Sequence, residues 1–99
     1  MSFSGGSYEE VARWLRNFLI SHAKREDPRV EILLVAGDER QGRSYGVRLR
    51  LGNRLSPSWE LDYKEVADNR GSLAWGRGMA EQTRARARAL IQAGPAGAR

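Results

Sequence analysis

Between Glu26 and Arg29 the spacing of apolar residues changes, and that change limits the fold more than any other feature of the chain. Before it, Val11, Trp14, Leu15, Phe18, Leu19 and His22 recur at helical spacing and share one face. After it, Val30, Ile32, Leu34 and Ala36 alternate with Arg29, Glu31, Leu33 and Val35, which is the period of a strand. Asp27-Pro28 stands at the junction, and a residue before proline is pushed out of the helical region. Ser7 and Glu10 match a reciprocal capping box, so the first helix is placed at about residues 8–25.

The period of two then returns. "GDERQGR", residues 37–43, reads as a loop, and Tyr45, Val47, Leu49 and Leu51 alternate with Ser44, Gly46, Arg48 and Arg50 in a second strand. "GNR" turns the chain into a third strand running from Leu55 to about Asp62. A two-residue loop at Gly52-Asn53 would set Leu55 opposite Arg50 and bring unlike faces together. A three-residue loop pairs Leu51 with Leu55, Val47 with Trp59 and Tyr45 with Leu61, so that register is expected. The same reasoning pairs Ala36 with Tyr45 and Glu31 with Arg50. Pro57 cannot donate to a ladder, which makes the third strand an edge.

Beyond the strands, Asp62 and Glu65 suit the start of a short helical turn, and "DNRGS" breaks it. A last helix runs to about Gln92 and stops at Gly94-Pro95, beginning either at Ser72 or after Gly78. Met79, Ala80, Thr83, Ala87, Leu90 and Ile91 make one continuous helical face there. Arg84 and Arg88 fall on one flank of it with Arg77, and Arg86 borders the other. The alternating arginines of "TRARARALI" therefore form no single grip. Gly76, Ala80, Thr83 and Ala87 are small enough to admit a close neighbour, with Trp14, Phe18, Trp59 and Trp75 as bulky complements.

The expected fold is α+β: a helix, a three-stranded antiparallel meander and a helix, with both helices on one face of the sheet. Residues 7–93 would form the single domain, after a flexible lead at 1–6 and before a disordered tail at 94–99. The chain has no cysteine, which excludes disulfides and thiolate metal sites. The N-terminus lacks the pattern of a signal peptide, and no apolar run approaches the ~20 residues needed to cross a bilayer. A soluble, cytoplasmic protein is expected.

Charge is the remaining compositional signal. The net charge is +5, and all the basic residues but Lys24 and Lys64 are arginine, which a GC-rich coding sequence would also produce. Position says more than the total. Residues 26–39 hold Glu26, Asp27, Glu31, Asp38 and Glu39 against Arg29 alone, whereas 40–54 hold Arg40, Arg43, Arg48, Arg50 and Arg54 with no acid.

Catalytic patterns do not survive their context. "GDERQGRS" has the spacing of a phosphate loop, but a strand follows it and Asp38 and Glu39 would repel phosphate. "GRGMAE" lacks the third glycine of a dinucleotide fingerprint. His22, the one histidine, falls on the apolar face of the first helix and reads as packed. Glu60 and Asp62 share the outer sheet face with Glu31, Arg48 and Arg50, the ordinary cross-strand use of opposite charges. Ser44, Ser56 and Ser58 have no histidine beside them to act as base. No cofactor, metal or small-molecule substrate is indicated.

With both helices on one side, the other sheet face is left uncovered, and Leu33 and Val35 are apolar positions on it. Ile20, on the polar side of the first helix, is a further apolar outlier. These three mark an interface with a second copy or another protein. The alternative is a nucleic-acid surface formed by Arg40, Arg43, Arg48, Arg50 and Arg54, with Arg77, Arg84 and Arg88 as a second patch. The element order is similar to that of double-stranded-RNA-binding domains, a likeness of topology. Such domains use the first helix, the first inter-strand loop and a lysine cluster opening the last helix. Here the loop pairs Arg40 and Arg43 with Asp38 and Glu39, and the last helix opens with Arg77 followed by Glu81. The expected function is therefore a non-catalytic protein-interaction module.

Overall fold

A computed structural model describes residues 7–36 and 41–93. Helix α1, Tyr8–Ala23, opens with the capping box: Ser7 Oγ accepts from the Glu10 N–H, and Glu10 accepts from the Ser7 N–H, both at 3.1 Å. Its face Val11, Leu15, Leu19 and Ala23 is fully buried. Trp14, Phe18 and His22, expected on that face, are half-buried along its flank. The helix ends two residues earlier than expected, and Lys24 turns its ammonium to the carbonyls of Pro28 at 2.6 Å and Val30 at 3.1 Å. Asp27 accepts from both the backbone N–H and the guanidinium of Arg29, closing the turn into the sheet.

The sheet is antiparallel. Strand β1, Glu31–Val35, pairs with β2, Ser44–Leu51, in the expected register from Glu31 opposite Arg50 to Val35 opposite Gly46. β2 buries Tyr45, Val47, Leu49 and Leu51 toward the helices. Its other edge receives β3, Arg54–Leu55, and then β4, Trp59–Asp62.

Here the expected register holds in one half and fails in the other. β4 pairs Val47 with Trp59 and Tyr45 with Leu61, as the core pattern requires. β3 instead pairs Arg50 with Leu55 and Leu51 with Arg54 across the two-residue turn Gly52-Asn53. Gly52 has φ +63°, and a glycine-first primed turn matches the twist of the flanking strands. The chain then absorbs one extra residue. Ser56 still bonds Leu49, since its N–H donates to the Leu49 carbonyl at 2.9 Å and its Oγ accepts the Leu49 N–H at 2.8 Å. Pro57 and Ser58 together stand opposite Arg48, a bulge that brings Trp59 into register. Because Pro57 has no N–H, the break falls where the ladder would lose a bond in any case.

Helix α2, Tyr63–Asn69, starts directly at the end of β4, with Asp62 accepting from the Glu65 N–H at 3.0 Å. The short helical turn expected after Asp62 is thus a separate helix, so two helices follow the sheet. Helix α3, Leu73–Ala93, is capped by Ser72, whose Oγ accepts from the Trp75 N–H at 3.1 Å, so Gly76 and Gly78 lie inside it. Met79, Thr83, Ala87 and Leu90 are buried, and α1 and α3 pack on each other and on the same side of the sheet. Small side chains on α3 permit this approach: Thr83 returns its hydroxyl to the Met79 carbonyl at 2.8 Å and leaves only a methyl group to pack. Tyr8, Tyr45 and Tyr63 close the far end. Tyr8 and Tyr45 stack at 4.6 Å, and the Tyr45 hydroxyl, whose ionisation burial makes harder, donates to the Tyr8 carbonyl at 2.7 Å. The lead at 1–6, the tail at 94–99 and loop residues 37–40 lie outside the described residues.

Two expectations follow. Ser56→Ala leaves the buried Leu49 N–H without its acceptor, and should cost about 1–3 kcal/mol, read as a lower urea midpoint at unchanged slope. A loss below about 0.5 kcal/mol would show that the bulge does not depend on this hydroxyl. The Asp27 carboxyl is held down to about 2, first by the Arg29 side chain and next by the Arg29 backbone N–H. A depressed carboxyl stabilises the fold above its ordinary value of 3.8, and that contribution is lost as pH falls through about 2. Carbon-detected NMR titration should place its midpoint near 2, and Arg29→Ala should move it part of the way back; an unchanged midpoint in the variant would contradict this assignment.

Candidate functional site

All three helices pack on the side of the sheet that bears Tyr45, Val47 and Leu49. The opposite face carries Glu31, Leu33 and Val35 from β1, Gly46, Arg48 and Arg50 from β2, and Leu55, Ser58 and Glu60 from the broken third strand. Val35 and Leu55 are each 50% exposed, large fractions for side chains of this size. Leu33, Val35, Gly46, Arg48 and Ser58 line a shallow depression at its centre. Gly46, itself buried, contributes no side chain there and stands between Val35 and Glu60, its two cross-strand neighbours. Arg48 lies half-buried along the depression, and its Nε is buried with no hydrogen-bond partner. Charges of both signs surround it. Arg50 is ion-paired with Glu31, Nε lying 2.8 Å from the carboxylate, and Ser44 Oγ donates to Glu60 at 3.0 Å.

Of the residues expected at an interface, Leu33 and Val35 stand on this face. Ile20 does not: it is half-buried against the core beside Ile32 and Leu33, in a groove between α1 and the free edge of β1 that Arg16 and Lys24 flank. Leu55 was expected toward the core and is instead on the outer face, because the two-residue turn inverts the side chains of β3.

The arginines separate. Arg40 lies outside the described residues. Arg43 is exposed ahead of β2, with its carbonyl accepting from the Tyr63 N–H at 2.8 Å. Arg48 and Arg50 share the outer face. Arg54, opposite Leu51, is turned to the helix side, with one guanidinium nitrogen buried and unpartnered. Arg77 is exposed on α3. Arg84 and Arg88 converge on Glu26 at 2.7 and 3.0 Å, and Arg84 first holds that carboxyl below its ordinary value. Arg86 lies 3.9 Å over the Trp59 ring, a cation–π contact, and burial lowers its affinity for the proton.

The chemistry of the ionisable groups follows from these placements. His22 is kept toward its neutral form by burial first and then by Arg25 and Arg84. Its ring meets Phe18 at 4.6 Å. Among the described residues no three histidines, cysteines or carboxylates gather as a metal cluster, and no helix is long and apolar enough to cross a membrane. Among the described residues, the outer face offers partly exposed apolar side chains, a shallow depression and the unpartnered Arg48 Nε. No protein-family model, curated protein or solved structure matches this chain.

Proposed function

We propose that the chain is a non-catalytic protein-interaction module of the cytoplasm that pairs with a second copy of itself through the outer face of the sheet. The observation that carries this reading is the one-sided packing of the helices, which leaves Leu33, Val35 and Leu55 on a face that no described helix covers. The depression at Gly46 admits a side chain from across a two-fold axis, and the unpartnered Arg48 Nε can donate to an acceptor brought with it. Glu31, Arg48, Arg50 and Glu60 place both signs on one face, so two copies can meet without like charges opposed. The nucleic-acid alternative has less support. It needs arginines that lie on separate faces, and Arg50, Arg84 and Arg88 are already paired with carboxylates.

Light scattering behind size exclusion tests the reading. The chain should run at twice the mass of one copy, and Leu33→Lys with Val35→Lys should raise the dissociation constant by on the order of a hundredfold while leaving the melting transition cooperative. A monomeric wild type, or a double variant with undiminished dimer mass, would sink it. Anisotropy with duplex RNA at about 50 and 200 mM salt checks the alternative, which expects binding that weakens roughly a thousandfold over that range.

A further inference from the structure

A second surface lies on the helical side. Trp14, Phe18 and His22 follow one another at every fourth residue of α1 and form the floor of a groove against α3. Across from them α3 presents Gly76 and Ala80; a β-carbon at Gly76 would meet the Phe18 ring only at 4.0 Å. With nothing larger at those positions, the aromatic ladder is left half-buried. Leu73 stands on the rim, 82% exposed, the most exposed large apolar side chain described. Arg70 and the exposed Arg77 flank the groove, and among the described residues no carboxylate lines it. Hydrophobic floor, aliphatic rim and cationic flanks are thus found together in one place.

We propose that this groove receives a short acidic amphipathic helix of a partner protein, its aliphatic side chains on Trp14 and Phe18 and its carboxylates toward the exposed Arg77. The sign of the flanks selects an acidic occupant, and the apolar floor selects one with a hydrophobic stripe. Leu73 to Ala80 spans two helical turns, roughly 10 Å, so two or three turns of the partner suffice. A second copy docked groove to groove would set arginine flank against arginine flank. Single-stranded nucleic acid fits less well, because Trp14 and Phe18 stack on each other at 5.2 Å and Phe18 meets His22. Their faces are engaged with one another, while base stacking needs a free one. The proposal shares with the preceding section the premise that the chain acts through protein contacts, but it uses the opposite side and a different partner.

The test uses the full chain and a fluorescein-labelled, alanine-based peptide of about 14 residues, with leucines at helical spacing and glutamates on both flanks. Its control carries lysine for glutamate. The glutamate peptide should bind at least about tenfold more tightly than the control, and Arg77→Glu should remove that preference. Ala80→Trp, which fills the groove, should abolish binding; Arg77→Glu, at an exposed position, serves if that variant fails to fold. Amide shifts should cluster at Trp14, Phe18, His22 and Gly76. Equal affinity for the two peptides, no binding, shifts confined to Leu33, Val35 and Arg48, or displacement by single-stranded RNA would each overturn the proposal. Peptide binding by the Leu33→Lys, Val35→Lys variant supports the groove whatever its mass, and a wild-type dimer that binds no peptide overturns the groove alone.

Discussion

Among the described strands β2 alone is paired along both edges, and the strict alternation of its side chains is the constraint to which the other elements are fitted. Tyr45, Val47, Leu49 and Leu51 must all go to one side, so the helices must cover that side. The chain supplies the cover from both ends: α1 lies over β1, and α3 returns after the sheet to lie over β2. Among the described residues, no helix covers the reverse face. That the described helices all lie on one side is thus a consequence of how the core is satisfied.

The bulge at Pro57-Ser58 shows two local rules in conflict and the way the fold accommodates both. Gly52-Asn53 favours the tight two-residue turn, and the core requires Trp59 and Leu61 opposite Val47 and Tyr45. These registers differ by one residue. A single extra residue at Pro57 reconciles them, with the Ser56 hydroxyl serving the Leu49 N–H next to the break. Its cost is an inverted β3, which moves Leu55 outward and Arg54 inward. An apolar side chain is thereby added to the uncovered face, and a cation is removed from it.

The arginines illustrate why charge segregation along a sequence is weak information about a surface. Arg84, Arg86 and Arg88 are neighbours in the chain, yet Arg84 and Arg88 fasten the end of α1 through Glu26 while Arg86 covers Trp59 on the other flank of α3. A helix rotates each residue by 100°, so alternating positions diverge. Long arginine stems allow these side chains to serve as packing as well as charge.

The sequence by itself determined the elements whose signal is local and repeated: the capped first helix, the two alternating strands with Glu31 opposite Arg50, the edge at Pro57 and the helical nature of the arginine segment. It also determined which sheet face is apolar and hence which face the helices leave bare. The tertiary structure decided what depends on competition between signals. Both the three-residue turn and the core register were read from one pattern, and only the assembled sheet shows a two-residue turn corrected by a bulge. Whether Ser72 or a residue after Gly78 opens α3 likewise turned on Trp75 finding Glu65, 3.1 Å away on α2, since two glycines weaken the local helical preference. Trp14, Phe18 and His22 share spacing with the buried face of α1, and only the small residues α3 brings against them leave them half-uncovered. Periodicity specifies which side chains share a face; the neighbour that arrives from elsewhere in the chain decides whether that face is closed.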